Sequence, residues 1–165
     1  MTTEEMEQDL QDMLKYHDLD APVANLKYST TIDGAFLPHE PSMAGDAGIN
    51  ITALKFVKKI GSNTFMYDTG ICVQPTKGFY TELIPRSSII KSGYMLSNSV
   101  GIIDASFTGS IKIVLTKVDP EAKELELPFT LCQLIPRRLY AWDTYRVKSL
   151  DESARGGGEF GSTNQ

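Results

Sequence analysis

From about residue 25 onward the chain breaks into short apolar or β-branched runs, each closed off by turn-forming residues. The runs are LKYSTTI, INITALKFV, TFMYDTGICV, FYTELI, GYML, GIIDASF, SIKIVLTKV and PFTLCQLI, with IGSN, PTKG, PRSS and KSG among the breaks. No helical period survives in this stretch. Many short strands separated by turn signals at regular spacing fold as an all-β sandwich or barrel. At 165 residues the chain is the size of one domain, with a core that needs no disulfides.

Three segments fall outside the strand pattern. Residues 2–16, TTEEMEQDLQDMLKY, predict a short helix: Thr2 and Glu5 fit a capping box, acids crowd the first turn, and Met6, Leu10, Met13 and Leu14 form one stripe. Residues 118–128, VDPEAKELELP, are polar and predict a solvent-exposed hairpin. From Trp142 the chain turns polar and ends in RGGGEFGSTNQ, which by composition cannot bury enough apolar surface to offset its ordering entropy. The predicted division is a helical extension over 1–24, a β domain over 25–150 and a flexible tail over 151–165. No internal repeat is visible.

The formal net charge of −5 argues against a large nonspecific nucleic-acid surface, which needs clustered Lys and Arg. A small anion remains possible, because a few cations and backbone N–H groups suffice to hold one. Cys72 and Cys132 each sit in an apolar run and read as buried free thiols. His17 and His39 are isolated, so no zinc spacing exists. There is no signal peptide and no run long enough to cross a membrane, so the expectation is an intracellular protein (cytoplasmic or nuclear) with no membrane and no nucleic-acid partner.

Five stretches carry chemistry: DAGINITA (46–53), PRSS (85–88), NSVGIIDASFTG (98–109), CQLIP (132–136) and the tail RGGGEFGST. Each alone has a dull explanation: PRSS is a turn, Asp104 a strand-end carboxylate, Gln133 a satisfied strand residue. Together and in this order they resemble the five motifs of the trimeric dUTPases, the deoxyuridine triphosphatases. GIIDASFTGSIKI resembles the family's third-motif hairpin, and RGGGEFGST its C-terminal phosphate-binding flap.

That resemblance implies a distorted jelly-roll or β-barrel-like dUTPase fold and a homotrimer whose active sites draw motifs from different chains. It implies hydrolysis of dUTP to dUMP and pyrophosphate with Mg2+, water attacking the α-phosphorus. Such a reaction needs a base for the water and donors for the spreading phosphate charge. Asp104 matches the catalytic aspartate. Phe107 matches the aromatic that stacks on deoxyribose and excludes a 2′-hydroxyl. Asn98 lies at the uracil end of the third motif, and Ile103 belongs to the same motif. Arg86, Ser87 and Ser88 match the phosphate-holding second motif, where an arginine fork suits phosphate oxygens. Gln133 matches a glutamine that binds phosphate and water, and Lys112 a lysine near the substrate whose alternative is a solvated strand lysine. In the tail, Arg155 would reach the γ-phosphate, Phe160 would stack over uracil, and Gly161, Ser162 and Thr163 would cradle phosphates. The magnesium ion would be held mainly by the triphosphate, with Asn50 supporting its water shell.

Three positions depart from the family pattern. Asn50 stands where aspartate is usual, Ser88 where glycine is usual, and Glu159 where glycine is usual. The same fold serves the dCTP deaminases, but the position where they need a glutamate falls on Val114, which cannot transfer a proton. The remaining alternative is a dUTPase-like nucleotide-binding or regulatory protein with weak or no turnover, for which Asn50 is the best support.

Overall fold

The structure, a computed structural model, describes residues 2–16, 20, 23–39 and 41–157; the side chains of residues 9, 10, 12–14 and 16 are not described. Ten strands occupy the described residues: β1 (Leu26–Thr30), β2 (Ile49–Ala53), β3 (Lys55–Lys59), β4 (Thr64–Asp68), β5 (Ile71–Pro75), β6 (Phe79–Pro85), β7 (Tyr94–Leu96), β8 (Gly101–Ile103), β9 (Lys112–Lys117) and β10 (Phe129–Arg138). They form two four-stranded sheets, β2-β10-β6-β8 and β3-β4-β9-β7, and a two-stranded ribbon, β1-β5. Every pairing is antiparallel. The sheets stay open rather than closing into a barrel, and the architecture is jelly-roll-like and all-β.

Alternation of side chains explains which face each strand buries. On β6, Phe79, Thr81 and Leu83 point inward while Tyr80, Glu82 and Ile84 are only partly covered. On β9, Ile113 and Leu115 are fully buried between partly covered Lys112, Val114 and Thr116. One core unites Ile51, Leu83, Cys132 and Leu134 of the first sheet with Tyr67, Tyr94, Ile113 and Leu115 of the second. Burial without a polar partner pushes the Cys132 thiol up to about 12, so it stays protonated and inert. Both cysteines are free.

The N-terminal helix, α1 (Thr3–Tyr16), starts on the expected capping box. Thr2 N donates to Glu5 Oε2 at 2.6 Å and Glu5 N to Thr2 Oγ1 at 3.2 Å. Of the expected apolar stripe, Met6 is exposed; Leu10, Met13 and Leu14 lie among the undescribed side chains. No helix among the described residues is long and apolar enough to span a membrane.

Two local expectations are corrected. Residues 118–128 form no hairpin: they contain no strand, and Ala122 and Leu125 pack against the core. A turn at 119–122 is closed by Ala122 N to Asp119 O at 3.0 Å and Glu121 N to Asp119 Oδ1 at 2.9 Å. It seats on Gly93, whose φ of +76° and contact with Ala122 leave no room for a Cβ. The third motif is not a hairpin either. Its two limbs belong to different sheets: β8 pairs with β6, while β9 pairs with β4 and β7. Residues 104–111 are therefore a crossing between sheets.

Candidate functional site

The first, second and fourth motifs meet at one end of the first four-stranded sheet. β10 lies between β2 and β6, and this places Gln133 opposite Asn50 on one side and Ile84 on the other. Gln133 Nε2 donates to Pro85 O at 3.4 Å. Gly48 gives the Gln133 amide its space: a Cβ there would fall 2.5 Å from Gln133 Oε1. Asn50 Nδ2 donates to Ser42 Oγ at 3.2 Å, leaving the amide oxygen as the atom available to a ligand. Asp46, four residues before Asn50, accepts from Met43 N at 3.2 Å and closes its own turn.

Arg86 continues β6 in extended conformation. Its backbone N–H donates to Leu131 O at 2.8 Å and its Nη1 to Thr130 O at 2.9 Å, both on β10. Anchored there by one N–H, the guanidinium keeps its other donors for an anion. Ser87 and Ser88 open the short 3₁₀ helix Ser87–Lys91, are both exposed, and are held in place by buried Ile89.

The third motif runs along β8, beside β6. A tight turn links β7 to β8, with Ser99 at φ 61° and Ser99 N donating to Leu96 O at 3.0 Å. Gly101 is buried beneath it: a Cβ would meet Leu83 Cβ at 3.1 Å and Asn98 Nδ2 at 3.4 Å, so only glycine brings the strand this close to both. Asn98 is exposed above that glycine. Ile103 faces the core at 9% exposure, which leaves only its backbone for a ligand. Asp104 leaves the strand exposed, and Phe107 N donates to Asp104 O at 3.0 Å. The Phe107 ring is half-exposed and rests on Gly109, where a Cβ would lie 2.7 Å from its Cζ.

Asp68, which the sequence reading did not single out, holds the far limb of this crossing. Its carboxylate accepts from Lys112 Nζ at 2.9 Å, from Gly70 N at 2.9 Å and from Ser110 Oγ. Burial pushes the Asp68 carboxyl up, but the bonds from Ser110, Gly70 and Lys112, with the Lys112 charge, outweigh it and hold the group below its usual value. Lys112, its side chain 34% exposed, is thus not free; it is one half of a cross-strand ion pair. Only the β4–β9 register reveals this, because nothing in TFMYDTG marks its carboxylate as special.

The register also measures how far apart the two groups stand. Thr81 faces Ile103, so Asp104 comes level with Tyr80, six residues before Arg86 along β6. At ~3.3 Å per residue that is about 20 Å of backbone, further than the two side chains reach together. Asp104 and Phe107 therefore lie at the Tyr80 end of β6, and Arg86, Gln133 and Asn50 flank the other; Asn98, three residues before the Gly101 that faces Leu83, lies on the Arg86 side of that pair. Beside Ala105, a groove of about 560 Å³ is lined in part by Lys27 and Lys77.

Arg155 is exposed in a turn closed by Gly156 N to Ser153 O at 3.0 Å. Phe160, Gly161, Ser162 and Thr163, with Glu159, lie outside the described residues. No group of three or more His, Cys, Asp or Glu side chains among the described residues is placed to hold a metal ion.

A family model described as dUTPase matches residues 37–164. The deoxyuridine 5'-triphosphate nucleotidohydrolase of Escherichia phage T5 is 37% identical over 101 residues, covering 61% of this chain and 68% of that one. The protein of the same name from Clostridioides difficile is 31% identical over 140 residues, covering 84% of this chain and 97% of that one. Among solved structures, a variant of the Staphylococcus bacteriophage 80alpha dUTPase with dUpNHpp has a TM-score of 0.68 and 18% identity, covering 84% of this chain and 98% of that chain. That likeness establishes the shared fold.

Proposed function

The chain belongs to the dUTPase family, and on that premise we propose that it is a dUTP diphosphatase, hydrolysing dUTP to dUMP and pyrophosphate. The observation that carries this reading is the sorting of the matched residues into two complementary groups. Arg86 and Gln133 sit together with Ser87, Ser88 and Asn50, a set suited to phosphates. Asp104 sits with Phe107, a pair suited to the water and sugar, while Asn98 stands at the other end of β8, where it is left to the base.

In this reading Asp104, exposed and level with the open end of β6, orients and deprotonates the attacking water. Phe107, its ring braced on Gly109, lies against the deoxyribose and leaves no room for a 2′-hydroxyl. The Asn98 amide offers a donor and an acceptor to the pyrimidine edge. Arg86 takes phosphate oxygens with the N–H groups that Thr130 leaves unused, and Gln133 adds a further polar contact. The C-terminal segment brings Arg155, Phe160, Gly161, Ser162 and Thr163 over the bound nucleotide.

Mg2+ would be held mainly by the triphosphate, and the Asn50 amide oxygen would be the atom free to support its water shell, since the amide nitrogen donates to Ser42. When bound, the ion neutralises charge on the phosphate oxygens. Because about 20 Å separates Arg86 from Asp104 along β6, a complete site takes these two residues from two chains. The family's homotrimer, with a third chain supplying the tail, meets that requirement. A nucleotide substrate of this kind places the action inside the cell.

The test is pyrophosphate release with Mg2+ from dUTP, dTTP, dCTP and UTP, each alone. Turnover of dUTP with the other three slower by orders of magnitude is the expected result. Comparable turnover of UTP would remove the role given to Phe107, and no turnover of dUTP would leave a nucleotide-binding protein.

A further inference from the structure

On the second sheet a pocket of about 290 Å³ opens beneath the 118–128 segment, and none of its lining residues belongs to the five motifs. Its walls include Phe56, Phe65, Tyr67 and Tyr94, with Glu124 and Leu125 contributed by the segment above. Tyr67 and Tyr94 are 6% and 4% exposed. The rings are fixed by their neighbours: Tyr67 packs edge-on against Phe56 at 5.8 Å and Phe129 at 4.9 Å, and Phe65 against Tyr94 at 6.4 Å.

Two observations indicate what this pocket takes. Neither phenol hydroxyl has a protein hydrogen-bond partner among the described residues, and neither is a fully buried polar atom, so both reach solvent and are open to a guest. Burial, with the nearby Glu124 charge, raises both hydroxyls above the usual value, so they stay protonated and both sense that carboxylate. The rings also already attract a cation: Lys59 Nζ lies 5.6 Å from the Phe65 centroid. Three oxygens, two neutral and one anionic, thus border an aromatic hollow.

We propose that this pocket binds a primary alkylammonium ion. The three N–H donors of its head group match the Tyr67 and Tyr94 hydroxyls and the Glu124 carboxylate. Its alkyl chain lies against Phe56, Phe65 and Leu125. An anion is repelled by Glu124, and a purely apolar guest leaves both phenols unpaired.

The experiment titrates n-butylammonium chloride into the full chain and follows the aromatic NMR signals of Tyr67 and Tyr94, with n-butanol as the uncharged probe. Saturable shifts at both rings, with an affinity of about millimolar, are expected from a few charge-assisted contacts. Glu124→Gln, at an exposed loop position, should keep the fold and weaken binding about tenfold, the loss of one such contact. Shifts that stay linear to about 100 mM, below any specific affinity, overturn the proposal. So does an equal response to n-butanol, or undiminished binding in Glu124→Gln, either of which would mark an apolar hollow indifferent to charge.

Discussion

Gln133 and Asn50 face each other across the β10–β2 ladder, and the Gln133 amide lies over Gly48. The fourth motif is thereby fixed in place by the first. A Cβ at Gly48 meets the flexible end of Gln133 rather than backbone, so the amide moves and the strand does not. Gly48→Ala is expected to cost about 1–3 kcal/mol of stability as a local overpacking. It should lower dUTP turnover on the order of tenfold or more through the displaced Gln133. Thermal unfolding and steady-state kinetics check the two parts separately; unchanged kinetics would show that Gln133 is idle.

Asp104→Asn keeps the shape and removes the proposed base. Because Asp104 is exposed, folding and nucleotide binding should survive while turnover falls by at least about a hundredfold. Wild-type turnover in this variant would reject the assignment.

Arg86→Gln and Asp104→Asn should each be nearly inactive alone and active when mixed. The two residues lie about 20 Å apart along β6, so the proposed site draws them from two chains. Unfolding and refolding an equal mixture should restore about a quarter of wild-type activity, the random-assembly expectation for a site built from two chains in a closed oligomer. Activity no greater than the sum of the separate variants would place both residues in one chain's site.

Deleting residues 155–165 should leave the folded assembly intact and remove most dUTP hydrolysis, since that segment supplies Arg155 and Phe160. Phe160→Ala should do part of the damage, about ten- to a hundredfold, as stacking on a base is worth roughly 1–3 kcal/mol. A truncated chain as active as the full one would leave the tail without a role.

Asp68 makes stability depend on pH in a definite direction. Its folded pKa lies below the usual value, so its contribution is present above the unfolded carboxylate range, roughly 3.9. It is lost as pH falls from there through the folded pKa. Asp68→Asn should flatten that part of a plot of melting temperature against pH and leave the slope above about pH 6 unchanged. A parallel fall in both proteins would assign the acid sensitivity to other carboxylates.

Much of this protein is written locally. Period-two burial along β6 and β9 follows from FYTELI and SIKIVLTKV, because alternate side chains of a strand face opposite sides. The Thr2–Glu5 box needs only residues three apart. The five motifs are short stretches whose likeness to the family can be read without reference to a fold. What the sequence left open is everything that joins distant segments. The 118–128 stretch reads as an exposed hairpin because its polar residues dominate, yet Ala122 and Leu125 find the core once Gly93 makes room. The third motif reads as a hairpin, yet its limbs are claimed by partners on separate sheets. Lys112 acquires its partner Asp68, Gln133 comes level with Asn50, and Asp104 is set at the opposite end of β6 from Arg86 only through strand register. Register is decided by which faces the whole chain can bury at once, a collective choice that no single stretch of residues contains.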